Sequence, residues 1–178
     1  MSDGKMSVWK LVDPMRPDSV FHFMVSENKR DHSFALTSKA VVTGLEGFPA
    51  GFIQLYGLDE SSTEENNPYH AAVHALAPLL HIECNQSTTA IFLMIIPYMG
   101  LKFKTLLAMK DPRALLWLAY WYAKVCDSVW WISRRALLEC QAICLYLERY
   151  HAEEVTIQEL LEFPRMRCEM VAKSTQRI

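Results

Sequence analysis

Three histidines, an acid and a thiol fall within a short stretch: His70, His74, His81, Glu83 and Cys84. Helical residues four apart share a face, so His70 and His74 could offer two neutral imidazoles to one zinc ion. The residues between them are Ala71, Ala72 and Val73. The glutamate that a metalloprotease helix uses as base is therefore missing. His81 lies about two turns beyond His74, too far for an easy third ligand. Partly buried, hydrogen-bonded or surface histidines are the expectation, with no metal site and no cofactor.

The five cysteines, Cys84, Cys126, Cys140, Cys144 and Cys168, make an odd count without framework spacing. That pattern suits reduced, buried thiols in a reducing compartment. Cys140 and Cys144 share a helix face whose geometry directs their sulfurs poorly for a disulfide, so they are expected to act as small hydrophobes. Cys126 falls near the end of a helix, away from the positive end of the macrodipole, and no lowered pKa is expected there. No GxSxG, glycine-rich phosphate loop or EF-hand pattern occurs, and no catalytic residue is assigned. Glu153, Glu154, Glu159 and Glu162 read as a solvated face.

Trp117, Tyr120, Trp121, Tyr122, Trp130 and Trp131 form the remaining candidate set. Large rings beside Ala114, Ala119 and Ala123 can leave a slot for a flat apolar ligand, its polar end fixed by a Tyr hydroxyl or Trp N–H. The alternative is a ring-rich core, which composition alone favours. Trp117, Tyr120 and Trp121 are the candidate ligand-binding residues.

These residues need helices to position them. Asp111-Pro112 is a helix start, a carboxylate to cap free amides followed by a proline whose missing N–H costs nothing in the first turn. From Ala114 to Ala123 no charged residue occurs, which predicts a helix buried on all sides. A second helix, Trp130 to Tyr150, is amphipathic. Leu137, Cys140, Cys144 and Leu147 follow helical spacing, Arg134, Arg135, Glu139, Glu148 and Arg149 supply a wet side, and Arg135 can pair with Glu139.

Upstream, Asn67-Pro68 opens a predicted helix to about Cys84. Ser87–Ile96 reads as a helix ended or kinked at Pro97, and Met99–Lys110 as another. Thr156-Ile-Gln-Glu159 is a capping-box sequence opening a short helix ended by Pro164, after which a polar, frayed tail is expected. Phe21, Met24 and Val25 suggest a short amphipathic helix, and Phe34 to Val42 another. Gly44–Gly57 reads as an irregular segment, and Asp59–Asn67 as an exposed, protease-sensitive loop. The expected fold is all-α, with packed antiparallel helices around a buried central helix at about 112–126. The expected organisation is a poorly defined segment 1–60, a helical domain 67–165 and a polar tail 166–178.

The runs DPRALLWLAYWYAKVC, WWISRRALLECQAICLYLE and LLEFPR resemble the C-terminal regulatory region of fungal zinc-cluster transcription factors, of the sterol uptake control type. The resemblance covers about Asn67 to Arg165 and rests on aromatic and small-residue patterning. It implies a transcription regulator that binds a sterol-like apolar molecule in its helical region and controls sterol or secondary-metabolite genes. The family's zinc cluster takes six cysteines in two closely spaced triplets; no CxxC occurs here, so the DNA-binding module is absent.

Bulk properties agree with a packed regulatory domain. The 178 residues are 51% hydrophobic and 21% charged, which argues for a core rather than disorder. With a net charge of −2 and no basic run beyond a pair, the electrostatic footprint of a nucleic-acid binder is missing, and no direct nucleic-acid contact is expected. The apolar runs Ala90–Ile96 and Ala114–Ala123 are shorter than the roughly 20 residues that span a bilayer. The polar start MSDGKMSVWKLVDP lacks a signal-peptide core, so a nuclear or cytoplasmic protein is expected. A protein partner or a homodimer would carry the output. The alternative is a small enzyme whose apolar helical cavity shapes or cyclises a hydrophobic substrate such as a terpenoid or polyketide. From Ala114 onward the central helix carries no polar residue before Lys124 apart from ring tips, which favours binding over catalysis.

Overall fold

A computed structural model describes residues 13, 16, 17 and 48–175. The chain divides into two units, Met1–Ala40 and Val41–Ile178. In the first, the Arg16 N–H donates to the Asp13 carbonyl at 3.2 Å. The helices expected around Phe21, Met24 and Val25 and over Phe34 to Val42 lie outside the described residues. The described part of the second unit is all-α: α1 (Ala50–Leu55), α2 (His70–Leu80), α3 (Thr89–Tyr98), α4 (Leu101–Ala108), α5 (Pro112–Val125), α6 (Trp130–Tyr150), α7 (Val155–Leu160) and α8 (Glu162–Thr175).

Helix α5 is the centre, and α2, α3, α4, α6, α7 and α8 all pack on it. Its start is set from both sides. The end of α4 closes in a Schellman turn, with the Lys110 N–H on the Leu107 carbonyl (3.1 Å) and the Asp111 N–H on that of Leu106 (3.0 Å), and Lys110 takes the left-handed position at φ 58°. Asp111 then accepts from the Ala114 N–H at 2.9 Å, with Pro112 in the first turn. Ala114, Leu116, Trp117, Ala119, Tyr120, Trp121, Ala123 and Val125 are buried. Leu115, Leu118 and Tyr122, three and four apart, make a half-buried edge where full burial was expected. Helix α6 runs over the predicted residues and buries Cys140, Cys144 and Leu147, while Leu137 is half-buried.

Other boundaries differ from expectation for physical reasons. Asn67 does not open α2 directly: its Oδ1 accepts from the Tyr69 N–H (2.9 Å) and its amide donates to the Tyr56 and Gly57 carbonyls. The helix therefore starts at His70 and ends at Leu80, short of Cys84. Helix α3 runs through Pro97 to Tyr98. On α4 and at its end, Phe103 is buried, whereas Leu101 and Met109 are exposed. The Gly44–Gly57 stretch, expected to be irregular, contains α1. Phe48, Phe52 and Tyr56, four apart, are buried together, with Phe48 and Phe52 stacked at 4.0 Å.

The C-terminal end is the largest revision. Helix α7 begins at Val155, so Thr156 is inside it rather than capping it, and no side chain caps its start. Pro164 does not end a helix; it sits in the first turn of α8, where an amide has no intrahelical acceptor to lose. The expected frayed tail is helical to Thr175 and buries Cys168 and Val171 against the core. The 59–67 loop is exposed but internally tied: Asp59 accepts from the Ser61 and Ser62 hydroxyls. Those bonds, together with the Ser61 N–H, hold its carboxyl below the ordinary range.

Candidate functional site

The three candidate ligand-binding rings, Trp117, Tyr120 and Trp121, are buried, and their polar tips are occupied. Trp117 donates its Nε1–H to the Ala72 carbonyl of α2 at 2.8 Å. Trp121 donates to the Phe92 carbonyl of α3 at 2.9 Å. The Tyr120 hydroxyl donates to the Leu160 carbonyl of α7 at 2.9 Å. That last bond has a specific cause. The helical partner of a carbonyl is the amide four residues on, and for Leu160 that residue is Pro164, which has none. Tyr120 supplies the missing donor. Burial raises its phenol above the ordinary value. The three rings are 0%, 2% and 3% exposed for Trp117, Tyr120 and Trp121, and Phe52, Phe103 and Phe163 close around them. Ring packing thus fills the space between α5 and its neighbours, and a ligand's polar end would compete with backbone carbonyls for each ring donor.

A second knot of polar groups sits at the α5 N-terminus. The Tyr69 hydroxyl donates to Asp111 at 2.9 Å, and the Arg113 guanidinium lies over the Tyr69 ring at 4.7 Å. The Tyr56 hydroxyl donates to the Arg113 carbonyl at 2.6 Å. At the other end, Lys124 reaches the Leu80 carbonyl at 3.0 Å and so closes the C-terminus of α2; burial lowers its ammonium pKa.

The histidine pair is adjacent, with ring centroids of His70 and His74 4.2 Å apart. Burial, then the neighbouring His70, lowers the pKa of His74. His81 points to solvent, and no group of three or more metal-capable side chains occurs among the described residues. The cysteines are all reduced and buried. Cys84 sits apart beside Thr89, and burial raises its thiol. The other four lie at the end of α5 (Cys126), on α6 (Cys140 and Cys144) and on α8 (Cys168), with the Cys126 thiol donating to the Ala123 carbonyl at 3.2 Å and the Cys140 thiol to the Ala119 carbonyl at 3.4 Å.

The outer face of α6 is the feature that sequence reading left unassigned. Trp130 is 86% exposed, Trp131 52%, Leu138 57% and Leu145 65%. Trp131, Leu138 and Leu145 stand seven apart, which places them along one line of a helix. A groove of about 310–490 Å³ opens at each end of this line; the larger is walled by Trp130, Trp131, Arg134, Arg135 and Leu138. Arg135 and Glu139 make the predicted pair at 3.7 Å, both partly in water, which adds little stability. The seven-residue spacing was readable in sequence, but periodicity alone does not tell a buried stripe from an uncovered one. No helix among the described residues is long and apolar enough to cross a membrane. No family model, curated protein or solved structure matches the chain.

Proposed function

We propose that this chain is a regulatory module of the fungal zinc-cluster regulator type that controls transcription through protein contact. The observation that supports this best is the uncovered Trp131–Leu138–Leu145 line on α6, extended by Trp130. Large apolar side chains aligned on one helix and rimmed by Arg134 and Arg135 have the composition of a docking surface.

The occupant is a second copy of the chain, laid antiparallel along α6. Residues 131 and 145 are equally far from 138, so a two-fold axis at Leu138 brings Leu138 onto its counterpart and Trp131 onto Leu145 of the second copy. The same axis sets Arg134 opposite Ala142 and Arg135 opposite Gln141, so no like charges meet. A full-length regulator with a helix of the same pattern would dock in the same way and carry the output to DNA. Sterol or secondary-metabolite genes are the targets that the resemblance suggests. The resemblance also suggests a sterol-like ligand; its support is the aromatic richness of α5, whose ring donors are already engaged, so regulation is assigned to the surface of α6.

Two measurements test this reading. Fused to a heterologous DNA-binding domain in yeast, the chain should change reporter transcription, and W131E/L138E should abolish the change. A fusion that leaves the reporter unchanged would overturn the regulatory role. In sedimentation equilibrium the purified chain should dimerise, with W131E/L138E weakening the dimer by about tenfold or more. A monomer throughout, or a dimer indifferent to the substitutions, would remove the second copy as occupant.

A further inference from the structure

Two histidines stand one turn apart at the start of α2, His70 as its first residue and His74 above it. Their rings lie with centroids 4.2 Å apart and planes inclined at 50°, and both residues are half-buried. Nδ1 of His70 is buried and has no hydrogen-bond partner, the one side-chain nitrogen or oxygen in that state among the described residues. Buried polar atoms are nearly always bonded, and an orphan among them points to a partner of another kind, such as an ion. The neighbours Ala71, Ala72, Val73 and Ala75 bring no charge to either ring. Burial, then His70, lowers the pKa of His74, so at neutral pH its imidazole is uncharged and holds a lone pair for a metal.

We propose that His70 and His74 chelate a divalent transition-metal ion, with His70 Nδ1 as one ligand and a ring nitrogen of His74 as the other. Metal–nitrogen bonds of about 2 Å place two ligands of one ion roughly 3 Å apart. Rings whose centroids are 4.2 Å apart reach that spacing by small side-chain rotations. The chelate is bidentate, since no group of three metal-capable side chains occurs among the described residues, and water fills the other positions on the ion. Imidazole without thiolate or carboxylate favours Zn2+, Ni2+ or Cu2+ over Mg2+ or Ca2+. Each nitrogen lends a lone pair, water leaves the ion, and no electron is transferred.

The consequence is local. No side chain caps the start of α2, and an ion held between residues 70 and 74 would fasten that first turn. Binding to the folded chain alone then raises its stability by linkage. Neither histidine belongs to the α6 surface, so the site stands apart from the transcriptional reading.

The test titrates Zn2+ and Ni2+ separately into the full chain by calorimetry, in a non-chelating buffer at neutral pH. Binding should be saturable, and His70→Asn and His74→Asn should each weaken it about tenfold or more, because even the loss of an outer-shell partner costs that much. His81→Asn should leave it unchanged, and Mg2+ should give no heat. Zn2+ should also shield His70 and His74 together from diethyl pyrocarbonate in the unsubstituted chain, which decides the matter even where a variant folds poorly. Co2+ used in place of Zn2+ should show no thiolate-to-metal charge-transfer band. Absence of binding, binding indifferent to the two asparagine variants, a thiolate band, or no shielding of the pair would each overturn the site. An effect of one variant without the other would overturn the chelate.

Discussion

Helices α5 and α6 are neighbours in sequence, pack along one another, and both carry tryptophans, yet they use them in opposite ways. In α5, Trp117 and Trp121 are buried and each indole N–H is bonded to a carbonyl of another helix. In α6, Trp130 and Trp131 face solvent. A tryptophan buries a large apolar surface and also requires one polar partner, so inside a core it both stabilises and specifies geometry. On the surface it does neither until something covers it. The contrast separates residues that hold the fold from residues available to a partner.

Substitution at Trp117 should produce the largest effect. Trp117→Ala is expected to lower folding stability by about 3–5 kcal/mol in urea unfolding, because it leaves a cavity and frees the Ala72 carbonyl. A loss under about 1 kcal/mol would mean that α5 is not the packed hub, and the contrast would fail.

Alkaline titration probes the same hub next. Burial, then the hydrogen bond to Asp111, pushes Tyr69 from 10.0 up to about 12, and burial also raises Tyr56, Tyr120 and Tyr122. Each folded-state pKa lies above its unfolded value, so the unfolded chain gives up phenolic protons first. This contribution to stability is complete below pH 10.0 and is lost as the pH climbs toward about 12. Helical circular dichroism and phenolate absorbance should therefore change together in that window. Full phenolate absorbance with helicity intact would show that the tyrosines around α5 are open to water.

The smallest effect belongs to α6. Trp131→Ala should alter folding stability by no more than about 0.5 kcal/mol. A loss approaching that of Trp117→Ala would make Trp131 a core residue and dissolve the distinction between the two helices.

Both helices were legible in sequence, for reasons that particular residues make clear. Asp111-Pro112 combines a cap and a permitted proline, and the charge-free run after it leaves only a buried position. The stripe through Cys140, Cys144 and Leu147, four and then three residues apart, fixes the inner face of α6. Helix α8 was missed because a proline is compatible with a helix's end and equally with its first turn. What distinguishes the two at Pro164 is tertiary, the burial of Cys168 and Val171 and the Tyr120 hydroxyl on the Leu160 carbonyl. Helix α1 was hidden by the glycines in and around it, although Phe48, Phe52 and Tyr56 keep a four-residue spacing. The burial of Trp117, Tyr120 and Trp121 followed from the helix pattern, but their acceptors did not, since a backbone carbonyl leaves no mark in the sequence.

The bonds from α5 to its neighbours run one way, from side chains on one helix to main-chain carbonyls on three others. Every residue type carries a carbonyl, so an exchange at 72, 92 or 160 leaves the acceptor in place, whereas an exchange at 117, 120 or 121 can delete the donor. The information that sets α2, α3 and α7 against the hub is thus concentrated in three codons of a single helix. As far as these bonds go, the surrounding helices are free to diverge in sequence while the arrangement persists.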